Sequence, residues 1–166
     1  MWQQKQKSKS KQFDESALRV KCIELLARRE YSYVELERKL LPLTEDEALV
    51  YKVLDWMVEY SYQDDKRFAN MFVRSRAVSG YGPIRIRLEL NQKGIKEYLV
   101  ENAFEENAAE INWSDEVDRL IEKKSKNLDM QDMKARSKVM GYMQRRGFSL
   151  DQIYQGLDRH KEKTSV

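Results

Sequence analysis

The 166-residue sequence predicts an all-α protein, built as three tandem three-helix modules in an elongated arrangement. Three observations carry that expectation. Apolar residues recur at helical spacing through nearly the whole chain, helix-start signals punctuate it at short intervals, and a pattern of about 50 residues repeats along it. Charged residues make up 36% and hydrophobic ones 41%, a balance that suits a thin helical chain better than a thick globule.

The elements follow in order. Residues 1–13, with Lys5, Lys7, Lys9 and Lys11 set among polar residues, cannot bury a core and read as a disordered basic tail carrying an exposed Trp2. From Asp14, "ESALRVKCIELLARRE" brings Leu18, Cys22, Leu25 and Leu26 onto one face of a first helix. Ser32 with Glu35 forms a capping box that opens a second helix, which stops near Pro42. Thr44 with Glu47 reads as another box, starting a third helix through Leu49, Val53, Trp56 and Met57. "DDKRFANMFVRSRAV" gives a fourth, with Phe68, Phe72 and Val73 inward. The sixth runs from Ile95 to Asn107 and a seventh starts at Trp113-Ser114-Asp115, with Trp113 expected to staple neighbouring modules. An eighth occupies the stretch near 131–146, and Ser149 caps a ninth. Grouped in threes, these give modules at residues 14–63, 64–112 and 113–160.

The fifth element, "SGYGPIRIRLELNQKGI", needs a decision. Ile84, Ile86, Leu88 and Leu90 alternate with charged residues, as in a strand, but no other stretch offers a strand partner. Pro83 fits the first turn of a helix and Gly94 fits a left-handed end, so a helix is expected. On that helix Ile84 and Leu88 share one side and Ile86 and Leu90 lie nearly opposite. The expectation is a helix gripped on two sides, by its own bundle and by a neighbouring element. The repeat supports this placement. A shift of 50 lays Leu18 on Phe68, Leu36 on Ile86, Leu40 on Leu90 and the capping Ser32 on Gly82, and a shift of 53 lays Gly94 on Gly147.

Composition also excludes function classes. A lone Cys22 and a lone His160 leave no cysteine- or histidine-built metal site, no internal disulfide and no histidine-based triad. No nucleophile–base–orienter set assembles, so no enzyme activity and no cofactor are expected. No apolar stretch approaches membrane-spanning length and the N-terminus lacks a signal-peptide core. A soluble cytoplasmic protein that does not bind membranes is expected. The net charge of +3 conceals blocks of alternating sign: residues 65–97 carry +5, 98–122 carry −7 and 123–166 carry +6. Such blocks fit a charged partner met at particular faces, or simply solvated helix surfaces.

Residues 64–95, "DDKRFANMFVRSRAVSGYGPIRIRLELNQKGI", closely resemble the central signature of the RecX regulatory proteins, bacterial modulators of the RecA recombinase. The matching positions are Asp65, Arg67, Phe68, Phe72, Gly80, Tyr81, Gly82, Pro83, Arg85, Ile86, Leu90, Lys93, Gly94 and Ile95. "ALRVKCIELLARREYSYVELERKLL" and "RRGFSLDQI" extend the likeness to about residues 15–158. Ser61 and Gln63 depart from the Gly and Leu common in the family, and the "LPLTEDEA" connection is short. The resemblance implies a curved chain of three three-helix modules that acts as a monomer on the RecA–single-stranded-DNA filament. There it would lower ATPase, strand-exchange and coprotease activities, with a role in recombination, DNA repair and the SOS response. A direct DNA-binding helical protein, with affinity for single- or double-stranded DNA, is the alternative.

Two sets of residues are candidates for those contacts. Arg67, Arg74, Arg76, Arg85, Arg87 and Lys93, with Tyr81, suit the carboxylates of a protein partner or the phosphates of DNA. Lys134, Arg136, Lys138, Arg145 and Arg146 make a second basic surface suited to nucleic-acid phosphates. A solvated helix face is the competing account of each. Gly80-Tyr81-Gly82 lacks nucleotide-loop spacing and reads as a tight turn into the fifth helix.

Overall fold

A computed structural model describes residues 12–166; Trp2 and the lysines of the expected basic tail lie outside the described residues. The described chain contains nine α-helices, one short 3-10 turn and no strand. It divides into two units, Met1–Asp65 and Lys66–Val166.

In the first unit, α1 (Glu15–Arg28), α2 (Tyr33–Leu40) and α3 (Glu47–Glu59) close around Leu18, Cys22, Leu36, Leu40, Val50, Val53, Leu54 and Met57, all fully buried. The capping box at the start of α2 is present in full: the Ser32 hydroxyl accepts from the Glu35 amide, and the Glu35 carboxylate accepts from the Ser32 amide. The expected box at Thr44 is not what starts α3. Pro42 sits in a 3-10 turn (Leu41–Leu43), the Thr44 hydroxyl accepts from the Asp46 amide, and the Asp46 carboxylate caps the helix at Ala48. A carboxylate two residues nearer the free amides is the better acceptor at a helix N-terminus. Gln12 and Phe13, within the stretch read as a tail, bond to Glu45 and Leu43, and Phe13 packs against the core. Trp56 is half-buried, with Tyr62 stacked on it at 5.4 Å and the Arg19 guanidinium 4.5 Å above its ring.

Both family departures have local consequences. Gln63 is 2% exposed and donates to the Tyr31 carbonyl at 3.2 Å and the Asp65 carboxylate at 2.8 Å. That carboxylate also accepts from the Tyr33 amide, the first of α2. Ser61 lies at φ 60°, a left-handed conformation that glycine adopts without strain.

The second unit holds α4 (Asp65–Val78, whose first residue belongs to the first unit), α5 (Pro83–Gln92), α6 (Glu97–Glu106), α7 (Trp113–Ser125), α8 (Met133–Arg146) and α9 (Leu150–Thr164). One core gathers Phe68, Ala69, Val73, Ile86, Leu90, Val100 and Ala103 from α4–α6; another gathers Val117, Leu120, Ile121, Val139, Met143, Phe148 and Ile153 from α7–α9. Trp113 packs against both, 6.2 Å from Phe104 and 6.5 Å from Phe148, as expected of a staple. Ser32 and Gly82, which the shift of 50 superposes, are the N-caps of α2 and α5, and Lys96 and Ser149, related by the shift of 53, are the N-caps of α6 and α9.

The fifth element is a helix, but it is not gripped on two sides. Ile86 and Leu90 are fully buried while Ile84 and Leu88 are 56% and 57% exposed. The reason is that α8 meets α5 end-on rather than along its flank. The Gly82 amide donates to the Arg146 carbonyl at 2.7 Å and the Ile84 amide to the Gly147 carbonyl at 3.1 Å. The last carbonyls of α8 thus satisfy the first amides of α5, so one helix end caps another. Only glycines permit this approach. A Cβ on Gly82 would lie 2.4 Å from the Gly147 carbonyl oxygen, and one on Gly147 would lie 2.4 Å from the Arg85 Cβ. Gly147 also ends α8 at φ 98°.

Candidate functional site

The end-on joint brings parts of the two candidate sets together. Tyr81, in the turn before α5, is half-buried under three guanidiniums: Arg76 at 3.8 Å, Arg146 at 4.6 Å and Arg85 at 4.8 Å from the ring centroid. Its ring is therefore clad in cations, so any base or partner group stacking on it would have to compete with them.

Glu89 organises these arginines. The Arg76 guanidinium grips it with two bonds of 2.8 and 2.6 Å, and the Arg85 Nε donates to it at 3.0 Å. Partial burial alone pushes the Glu89 carboxyl up, but the hydrogen bonds from Arg76 and Arg85 outweigh it and hold the group below the ordinary range. Those same bonds raise Arg76. The second donor of Arg85 reaches the Arg145 carbonyl at 3.1 Å, so this side chain also spans the joint.

The remaining members of the first set separate. Arg87 pairs with Glu101 of α6 and lies 4.2 Å over the Phe104 ring. Arg74 donates to Asn107, a nearly buried side chain that in turn donates to Asn70 and to the Ala103 carbonyl. Lys93 sits 5.5 Å from the Phe72 ring, and Arg67 is exposed in the first turn of α4. Arg76, Arg85 and Arg87, candidates for a partner's carboxylates or for DNA phosphates, are paired with Glu89 and Glu101 of the same chain.

The second set lies on α8. Lys134, Lys138 and Arg145 are exposed, whereas Arg136 and Arg146 are half-buried. Arg146 turns toward Tyr81 and Tyr142. Among the described residues, no carboxylate pairs with Lys134, Lys138 or Arg145. Sequence reasoning named these cations but missed Glu89 and Glu101 as their rivals in the first set. The Arg85–Glu89 pair was readable, since i, i+4 spacing places the two side by side on a helix.

Acidic side chains collect on the third helix of each of the first two modules. α6 carries Glu97, Glu101, Glu105 and Glu106 and no basic residue. α3 carries Glu47, Asp55 and Glu59 against Lys52.

The comparisons with known proteins follow this geometry. Residues 64–103 match the model of the second three-helix domain of RecX, and residues 115–157 match that of the third. A protein called Regulatory protein RecX from Vibrio parahaemolyticus is 36% identical over 141 residues, covering 85% of this chain and 90% of that one. The chain belongs to the RecX family. The RecX regulatory protein of Pseudomonas savastanoi pv. phaseolicola is 37% identical over 137 residues, covering 82% of this chain and 87% of the relative. The crystal structure of RecX from Lactobacillus salivarius superposes with a TM-score of 0.73 at 21% identity, over 87% of this chain and 95% of that one, and so shares the fold. The Gly82–Gly147 joint links the regions matched as the second and third RecX domains. Among the described residues, no helix is long and apolar enough to cross a membrane.

Proposed function

We propose that this chain binds the RecA–single-stranded-DNA filament and lowers its ATPase, strand-exchange and coprotease activities without catalysing a reaction itself. The observation that carries the reading is membership of the RecX regulatory family across most of the chain. The exposed side of α5 supports a protein contact in the second module. Ile84 and Leu88 offer apolar anchors, and Arg87 stands at their margin, the composition found at the centre and rim of protein interfaces. Arg67, Arg74, Arg76, Tyr81, Arg85 and Lys93 remain candidates for further contacts, with the charge of Arg76 and Arg85 already shared by Glu89.

The rival reading, a DNA-binding helical protein that competes for or coats nucleic acid, is opposed, where it would enter a duplex groove, by the acidic third helices. A helix-turn-helix reader puts its recognition helix into the major groove, between two rows of phosphates. Four glutamates on α6 would be repelled there.

The test is RecA ATPase on single-stranded DNA with substoichiometric additions of this protein. Inhibition well below one copy per DNA-bound recombinase subunit is expected, and inhibition only at DNA saturation would favour plain competition for the strand. Reversing Arg85 and Arg87 would set new carboxylates beside Glu89 and Glu101 and disturb the fold. An I84Q/L88Q variant is the cleaner probe, because both side chains are already in water. Full inhibition by that variant would remove α5 from the contact surface.

A further inference from the structure

The helix α8, "MKARSKVMGYMQRR", carries five basic residues and no acid, and it is the only α-helix among the described residues without a carboxylate. Its three fully exposed cations are regularly placed. Lys134, Lys138 and Arg145 stand at i, i+4 and i+11, which puts them within about 40° of one another around the helix and spreads them over about 16 Å of its length. Gly141 lies within the row, Ser137 and Gln144 flank it on one side, and the half-buried Tyr142 flanks it on the other, with Lys124 4.4 Å and Arg146 5.3 Å from its ring centroid. Gly141 is part of the arrangement, since a Cβ there would lie 3.2 Å from the Arg145 guanidinium, which folds back along the row. Beside the row, Lys123, Lys124, Lys126 and Lys138 line a shallow recess of about 170 Å³. At the far end Arg85 of α5, itself paired with Glu89, bonds to the Arg145 carbonyl and ties the end of the row to the joint.

Lys134 and Lys138, one turn apart, repel each other across the start of the row. A ligand that neutralises it must be anionic and extended. An acidic protein surface fits poorly. Lysine is depleted in protein interfaces, and the one aromatic beside the row, Tyr142, is half-buried beneath Lys124 and Arg146 rather than exposed as Ile84 and Leu88 are on α5. A nucleic-acid strand fits well, because its phosphates recur at a step similar to one helical turn and lysines meet them as point charges. The geometry points to the exposed row Lys134–Lys138–Arg145, with the adjacent lysine recess, as a track for the phosphate backbone of a single nucleic-acid strand, read without regard to base sequence. This assignment does not rest on the recombinase reading.

The test measures binding of a fluorescent dT oligomer of about 20 nucleotides by anisotropy between about 50 and 200 mM salt, with no recombinase present. A K134Q/K138Q/R145Q variant is compared with K21Q/R28Q/K39Q, which removes the same charge from the first unit. The track variant is expected to bind at least about tenfold more weakly at low salt and to lose about 2 from the slope of log affinity against log salt, about 0.7 per phosphate contact. The control is expected to keep most of both. The melting temperature of the track variant should stay within a few degrees of the wild type, since all three substituted side chains are exposed. Equal losses in both variants would reduce the effect to net charge and overturn the track, as would unchanged slopes or no binding by the wild type. Loss of recombinase inhibition with oligomer binding intact would reassign the row to a protein partner and also overturn it. Loss of oligomer binding with inhibition intact would support the track and leave the recombinase reading standing.

Discussion

Replacing Gly82 by alanine introduces a methyl group into backbone. At φ −88° and ψ 167° alanine is as comfortable as glycine, so no conformational strain enters. The cost is spatial: the new Cβ would stand 2.4 Å from the Gly147 oxygen, 2.5 Å from its carbonyl carbon and 2.7 Å from the Phe148 nitrogen. None of these atoms can rotate away, so the end of α8 must retreat by about 1 Å to reach ordinary contact. The Gly82–Arg146 and Ile84–Gly147 hydrogen bonds, now 2.7 and 3.1 Å, would then exceed bonding distance. Two amides lose their partners at about 1–2 kcal/mol each, giving a loss of about 2–4 kcal/mol. Gly147→Ala adds the left-handed penalty at φ 98°, about 1–2 kcal/mol more. Gly94→Ala, at φ 75°, supplies a reference for that penalty by itself. Urea unfolding followed by Trp113 fluorescence in a W2F/W56F background reads the second unit, and hydrogen exchange at Gly82 and Ile84 reads the two bonds. A loss under about 0.5 kcal/mol for Gly82→Ala, or unaltered exchange at both amides, would refute the end-on joint.

Two further outcomes follow from buried groups. Because Arg76 and Arg85 hold Glu89 below its ordinary pKa, their contribution is complete above the unfolded carboxyl value and fades as pH falls through the folded one. Glu89→Gln should therefore cost about 1–2 kcal/mol at neutral pH and progressively less below about pH 4, measured by urea titrations across pH. Cys22 is fully buried and burial pushes its thiol up to about 11, so a thiol reagent at pH 8 should label it only as fast as the first unit opens, and promptly in denaturant.

The parts of this fold that were legible in the sequence are those decided within one turn of chain. Ser32 and Ser149 announce their helices because the hydroxyl and its Glu or Gln partner are three residues apart. The α-helical character of residues 83–92 was readable from Pro83 and Gly94 despite the strand-like alternation. Thr44 misled because a better acceptor, the Asp46 carboxylate, stood two residues closer to the free amides. The position of Gly82 against Gly147 was not legible. Its turn chemistry is local, but the reason for lacking a side chain lies 65 residues away in the partner backbone. The exposure of Ile84 and Leu88 was hidden for the same reason: alternation shows that a helix has two apolar strips, not that a neighbour covers both. Among the candidate residues, the basic character of α8 could be read directly, whereas the quenching of Arg87 by Glu101 required the packing of α5 on α6.

The joint between α8 and α5 also dictates where this chain can change length. Adding or removing one residue near 79–83 or 145–148 would rotate an amide or a carbonyl away from its counterpart, and no side-chain adjustment could restore the register. The connections at residues 108–110 and 126–131 carry no such constraint, since the backbone bonds they make are all to residues within four positions. Insertions and deletions among relatives should accumulate in those two loops and spare the two glycine turns, so that length variation marks the joint as clearly as conserved glycine would.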